Sequence, residues 1–386
     1  MIETAEALQA FAGRARQHEW MTFDTEFVGE KYYRDRLCVI SASTPEEGVV
    51  IDAVALNDIQ PFIELINLPS LQKITHAGEN DYRILIQQYE STPRNLFDTQ
   101  LAAAFLEERY PISLQNLIQQ YLGVRLSKSA TVSDWEKRPL RKEQIRYALD
   151  DVAYLPELTD IIKDRLQIQK RLDWALDECR TLENPDYYQA TDLSKELRKK
   201  WARHLPDKKA LFLWRLLNWR EAEAAAKDRP RRRVLSDDRV RAITEVIGSP
   251  MRTVYSDRRI PADLVKKKWK LFEQLYHQKP SPEEQKSVAQ SRKREKRNSS
   301  SQREALLDTL YNLIKYRATE VGISPEIIIS RRELNRMKKD IRYLPDNLSA
   351  GWRREVLGDT LLRWLQTDGT LRMRMEGERC VLEMVS

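Results

Sequence analysis

The sequence predicts an α/β domain, with a mixed sheet flanked by helices, followed by two all-α modules. Three observations carry that expectation. Short β-like runs crowd residues 20–55, helical periodicity dominates from there to about 180, and beyond Pro185-Asp186 the pattern is helical almost to the C-terminus.

The β-like runs are Trp20-Met21-Thr22-Phe23, Leu37-Cys38-Val39-Ile40-Ser41 and Val49-Val50-Ile51-Asp52, separated by turn-rich gaps, which suggests a meander. A helix near 58–67 and a short strand at 71–76 follow. From Pro206 to about Gln278 several short amphipathic helices are expected, beginning with Lys208–Leu217, where apolar residues recur every three or four positions. Residues 281–303 contain Arg292-Lys293-Arg294-Glu295-Lys296-Arg297 and almost no apolar periodicity, so they read as a basic, serine-rich flexible linker. A second helical module spans 304–367. In the tail, 368–386, Leu371, Met373 and Met375 alternate before Gly377, as in a hairpin of unassigned role. The expected division is therefore 1–195, 206–280, 281–303, 304–367 and 368–386.

Composition narrows the function classes. A 386-residue chain with 41% hydrophobic residues has ample material for real cores. It has no run of 18 apolar residues, and its N-terminus lacks the basic-then-apolar pattern of a secretion signal, so a cytoplasmic protein without a membrane partner is expected. Cys38, Cys179 and Cys380 match neither a disulfide framework nor a metal-ligand spacing, and they read as buried thiols. Residues 1–195 carry 22 Lys and Arg against 32 Asp and Glu, whereas residues 196–386 carry 44 against 27. An acidic half followed by a basic half suits catalysis in the first and polyanion capture in the second.

The acidic half holds the candidate chemistry. Asp24 and Glu26 lie in Phe23-Asp24-Thr25-Glu26-Phe27, where the two-residue period of a strand puts both carboxylates on one side. Asp81 follows His76-Ala77-Gly78-Glu79-Asn80 at the first turn of an expected helix. Tyr147 and Asp151 stand four apart on another helix and so share a face. Carboxylates gathered into one site repel unless cations neutralise them. Hard oxygen ligands without His or Cys favour Mg2+ or Mn2+ over zinc, and two such ions can clamp the attacking and leaving oxygens of a phosphodiester displacement.

At these residues the chain resembles a known family. Asp24-Thr25-Glu26-Phe27, His76-Ala77-Gly78 leading to Asp81, and Tyr147-Ala148-Leu149-Asp150-Asp151 look like the three motifs of the DEDD 3′→5′ exonucleases, in the subgroup with tyrosine in the third motif. Phe97-Asp98-Thr99-Gln100 and Ser133-Asp134-Trp135-Glu136-Lys137-Arg138-Pro139-Leu140 look specifically like ribonuclease D. Trp219–Asp237 resembles a helicase-and-ribonuclease-D C-terminal (HRDC) domain, and Ile323–Leu334 with Gly351–Gly358 resembles a second one.

The resemblance implies a ribonuclease H-like exonuclease domain and a hydrolytic 3′→5′ exoribonuclease, with RNA, notably transfer-RNA precursors, as partner. It also implies release of nucleoside 5′-monophosphates. Two divalent metal ions per site, Mg2+ or Mn2+, are the expected cofactors, and a monomer is the expected state. Asp24 is assigned as the bridging metal ligand, Glu26 and Asp151 as further ligands on the nucleophile side, and Asp81 as a direct or water-mediated ligand on the leaving-group side. The family's four-residue tyrosine-to-aspartate spacing selects Asp151 over Asp150. Tyr147 orients the attacking water, because a phenol with a free pKa near 10 is a poor base at neutral pH. Three residues stay open. His76 touches a terminal phosphate or satisfies local backbone; Asp98 orients the site or caps a helix; Arg138 meets the RNA backbone or is merely solvated. A DNA exonuclease of the same superfamily and a non-catalytic RNA-binding scaffold are the alternatives.

Overall fold

The computed structural model describes residues 1–126, 134–188, 193–292, 301–330, 333–334, 336–337, 345–366, 370–377 and 379–385. The chain forms two compact units that interleave along the sequence. The first comprises Met1–Glu26, Leu37–Tyr188 and Lys296–Ser386, and the second Phe27–Arg36 and Gln189–Glu295.

A five-stranded sheet organises the first unit. Strands β1 (Trp20–Val28), β2 (Arg36–Ser43), β3 (Gly48–Asp52), β4 (Gln72–Thr75) and β5 (Leu96–Asp98) are ordered β3-β2-β1-β4-β5. β2 and β3 pair antiparallel, with Ile40 opposite Ile51, while β1, β4 and β5 run parallel, so the sheet is mixed. Along β1 the alternation sends Met21 and Phe23 into the core, where Phe23 meets Phe62 and Tyr82 edge to face at 5.7 and 5.5 Å. Helices α1 (Ala5–Ala15), α2 (Gln60–Asn67) and α3 (Glu79–Tyr89) precede α4 (Thr99–Ala103) and α5 (Leu114–Leu122). Helices α6 (Lys142–Ala153), α7 (Leu155–Ile168) and α8 (Leu172–Arg180) complete this stretch. Cys38 and Cys179 are free and buried; the Cys380 side chain lies outside the described residues.

The C-terminal segment of this unit, α16 (Ser301–Val321) and α17 (Gly351–Gln366), shares one hydrophobic core with the nuclease elements. Trp352 sits on Phe105, with ring centroids 4.8 Å apart, and stacks on Trp174. Its indole N–H and the Arg353 guanidinium both reach the Glu178 carboxylate. Arg171 donates to the carbonyls of Phe105 at 2.8 Å, Gly322 at 2.7 Å and Val321. Ser324 donates its N–H to the Ala104 carbonyl and accepts from the Tyr110 N–H. The tail forms an antiparallel hairpin, β6 (Thr370–Glu376) and β7 (Arg379–Val385).

The second unit is helical: α9 (Ser194–Leu197), α10 (Asp207–Ala226), α11 (Arg231–Val234), α12 (Asp237–Val246), α13 (Met251–Ser256), α14 (Ala262–His277) and α15 (Pro282–Arg292). Ser236 caps α12 by accepting the Arg239 N–H, as a Ser-Asp start requires. Its core is built on Phe212, Leu216, Ile243 and Phe272. The structure departs from a flexible linker at 281–303. Pro282–Arg292 form α15, with Val288 buried and Glu284 in a two-pronged ion pair with the buried Arg215. Apolar residues are sparse here, and the helix is held by buried Val288, the Arg215–Glu284 pair and the Ser281 cap. Residues 293–300 of that stretch lie outside the described residues.

Removing Lys296–Ser386 should abolish the cooperative thermal melt of the nuclease unit, since Phe105 and Trp174 lose the surface that covers them; circular dichroism on the shortened chain checks this. Arg171→Met, which strands three carbonyls, should destabilise the full chain by about 3 kcal/mol in denaturant melts.

Candidate active site

The acidic cluster is assembled by three local devices. On β1, the two-residue period that buries Phe23 turns Thr22, Asp24 and Glu26 to the other face. The Thr22 hydroxyl donates to the Val152 carbonyl on α6 at 3.2 Å, a bond that brings the strand beside Asp151. Asp81 enters from the first turn of α3; its Oδ1 accepts the Thr25 N–H at 3.1 Å and the Thr25 hydroxyl.

Carboxylate oxygens of Asp24, Glu26 and Asp151 lie within 4.8 Å of one another, the one such cluster among the described residues. These three and Tyr147 line an open cleft of about 260 Å³ with His76 and Leu114 on its wall. Asp81 is buried next to this group and its charge raises Asp24 and Glu26, but it stands outside the three-carboxylate set. Asp150 points elsewhere and pairs on the helix surface with Arg146. The 100° step between neighbouring helical residues separates the two aspartates.

Burial and mutual repulsion hold protons on this site. Asp24 is raised well above the carboxylate range, first by burial and then by the charges of Asp81, Asp151 and Glu26. Burial, with Asp151 and Asp81, pushes Glu26 up to about 8. Asp81 is raised to about 7 and Asp151 to about 6, both chiefly by burial. Such a group tolerates full ionisation only when cations neutralise it, and its all-oxygen donors suit a hard divalent ion. The residues present therefore fit a divalent metal. Tyr147 donates a hydrogen bond to Asp151, and burial with the nearby carboxylates raises its phenol above the ordinary value. It stays protonated at neutral pH, able to orient an oxygen but not to take its proton.

The three open residues fall into place. His76 Nε2 faces the Ile112 carbonyl at 3.0 Å and Nδ1 the Thr99 hydroxyl at 2.9 Å, and burial lowers its pKa, so a neutral ring is held in the wall. Asp98 does two jobs: Oδ1 accepts from Gln100 N and Leu101 N at the start of α4, while Ala77 N and Gly78 N bind its two oxygens. It thereby fixes the turn that launches Asp81. A Cβ on Gly78 would lie 2.6 Å from the Thr75 hydroxyl and 2.9 Å from its Cβ, so close packing keeps glycine at this position. Arg138, its side chain 23% exposed, is engaged within the protein. It grips Asp52, with Nη2 to Oδ1 at 2.6 Å and Nε to Oδ2 at 2.5 Å, and donates to the carbonyls of Cys38, Trp135 and Lys137. Asp52, a plain strand-end aspartate in the sequence, is the residue that sequence reasoning missed. Its partner lies 86 positions away, and only the Arg138 motif hinted at it.

Comparison with known proteins places the chain in a family. The 3′-5′ exonuclease family model matches residues 1–167. Ribonuclease D of Desulfotalea psychrophila is 30% identical over 364 residues, covering 93% of this chain and 96% of the relative. Ribonuclease D of Nitrobacter hamburgensis is 29% identical over 382 residues, covering 99% and 98%. Among solved structures, the chain is similar to Escherichia coli RNase D, described as an exoribonuclease involved in structured RNA processing, with TM-score 0.79 and 25% identity over 95% of this chain and 98% of that one. The catalytic core of RRP6 from Trypanosoma brucei shares the fold, with TM-score 0.58 and 21% identity over 71% of this chain and 77% of that one. With a mixed sheet carrying the acidic cleft and relatives matched from end to end, the chain belongs to the ribonuclease D family of 3′→5′ exoribonucleases.

Proposed function

We propose that this protein trims the 3′ ends of structured RNA, transfer-RNA precursors among them, by two-metal hydrolysis that releases nucleoside 5′-monophosphates. The observation that carries the reading is the set of three carboxylates within 4.8 Å with a protonated tyrosine on one of them. Asp24, Glu26 and Asp151 would hold the divalent ions, with Asp81 as a further ligand directly or through water. Bound Mg2+ or Mn2+ would lower the pKa of the attacking water and neutralise charge on the phosphate. Tyr147, anchored on Asp151, orients that water, and His76, with both nitrogens engaged, shapes the wall against which the terminal nucleotide lies. Residues 206–280 and 304–367 are read as HRDC-like modules, and the excess of Lys and Arg after residue 195 supports RNA capture by this half of the chain.

Asp24→Asn and Asp151→Asn should each lower turnover on a 3′-extended transfer RNA by about a thousandfold or more. Both should leave the fold intact, since each removes a repelling charge. Tyr147→Phe should cost less. Near wild-type turnover in Asp24→Asn would exclude the metal-ligand assignment.

A free 3′ end is required by a site that accepts a terminal nucleotide. A 5′-labelled linear RNA should therefore shorten as a ladder while the same sequence closed into a circle resists; cleavage of the circle at a similar rate would mean an endonuclease.

The raised carboxylates also set a pH dependence. Their folded pKa values exceed the unfolded ones, so in metal-free protein they contribute stability below about pH 4 that is lost as pH rises through about 6 to 8. Buried Lys73, lowered to about 7 by desolvation, acts oppositely above pH 7. The readout is therefore the wild-type melting temperature minus that of Asp24→Asn in EDTA, which should fall between pH 5 and 8. Mg2+ affinity should rise over the same range as protons stop competing.

A further inference from the structure

We propose that Arg138 is a positioning residue for the reaction, acting through Trp135 on Tyr147. The proposal rests on the reading of Tyr147 given above.

The turn that precedes α6 has little reason of its own to be rigid. It leads into the helix that carries Tyr147 and Asp151, touches the end of β3 at Asp52, and contains no regular structure between Asp134 and Arg141. Three ties hold it. Arg138 is clamped two-pronged on Asp52, which is only 1% exposed and also accepts the N–H groups of Val54 and Ala55, so the anchor itself is fixed. The same guanidinium accepts no alternative geometry, because it donates at once to the carbonyls of Cys38 on β2 and of Trp135 and Lys137 in the turn. At the other end, the buried Gln144 donates to the Asp134 carbonyl and accepts the Arg141 N–H at the first turn of α6.

The product of these ties is the placement of one ring. Trp135 is 5% exposed, and its ring centroid lies 6.2 Å from that of Tyr147 at an interplanar angle of 43°. Tyr147 is half-buried and lines the cleft, so its ring has open space on one side and Trp135 on another. A phenol hydrogen-bonded to Asp151 through its oxygen alone would still swing about its side-chain torsions; the indole removes that freedom. A five-bond guanidinium clamp some distance from the cleft thus becomes a constraint on the oxygen that orients water. Misplacing such a group by about 1 Å costs up to a hundredfold in rate.

The test is a double-mutant cycle on the full-length protein, with Mg2+ and a 5′-labelled linear RNA. Arg138→Gln should lower kcat about ten- to hundredfold with KM nearly unchanged. In a Tyr147→Phe background, where no phenol remains to be placed, the same substitution should cost less than about twofold. Trp135→Phe, which leaves the clamp intact and alters only the contact, should show the same coupling, and it decides the matter alone if Arg138→Gln does not fold. Full activity in Arg138→Gln, or a loss that is undiminished in the Tyr147→Phe background, would overturn the proposal. Thermal melts of each variant separate lost placement from lost fold. An inactive wild-type protein would sink both this inference and the reading beneath it, whereas an active one without coupling sinks this inference alone.

Discussion

Repulsion among Asp24, Glu26 and Asp151 is the constraint around which the first unit is built. Three carboxylates within 4.8 Å of each other, partly removed from water, repel if all are ionised without a counter-charge. What opposes that tendency is neutral and local. The Thr22 hydroxyl ties β1 to α6, Thr25 engages Asp81, and the apolar side of β1 is pressed into the core by Phe23 against Phe62 and Tyr82. None of these contacts cancels charge. They hold a geometry that full ionisation makes electrostatically unfavourable in the absence of a cation, and burial with the neighbouring charges accordingly raises Glu26 to about 8.

Around this centre, polar side chains repeatedly serve two elements at once. Asp98 starts α4 and fixes the turn before α3; Asp52 closes its own strand-end turn and holds Arg138. Ser324 donates its backbone N–H to Ala104 and accepts from Tyr110 through its hydroxyl, and the loop after Tyr110 presents the Ile112 carbonyl to His76. Rigidity at the cleft is thereby distributed among residues that never approach it. Such bonds are short-ranged in space and long-ranged in sequence, so each couples the wall of the cleft to a different part of the chain.

That distribution explains what could be read from the sequence. The common face of Asp24 and Glu26 follows from the period of a strand, and that of Tyr147 and Asp151 from the pitch of a helix, so both pairs are legible locally. The mixed sheet is legible too, since its strands are short, apolar and punctuated by turns. The Asp52–Arg138 clamp is not, because neither residue type is distinctive and 86 positions separate them. Asp98 offers two roles in the sequence, and four donors from separate turns converge on it in the fold. The periodicity of 304–367 reveals helices but not what they pack on, and Trp352 carries no mark that would direct it to Phe105.

The interleaving of the first unit bears on the order in which the protein comes into being. Asp151 has been synthesised 201 residues before Trp352, an interval of about 10 to 40 s at ordinary elongation rates. Throughout that interval the emerging chain holds every carboxylate of the cleft while Phe105, Trp174 and the Arg171 guanidinium still await their partners. The hydrophobic core behind these helices is completed only when the final segment supplies Trp352 and its neighbours. A chain cut short by premature termination therefore carries every lining residue of the cleft but lacks the side chains that cover Phe105 and Trp174 in the core.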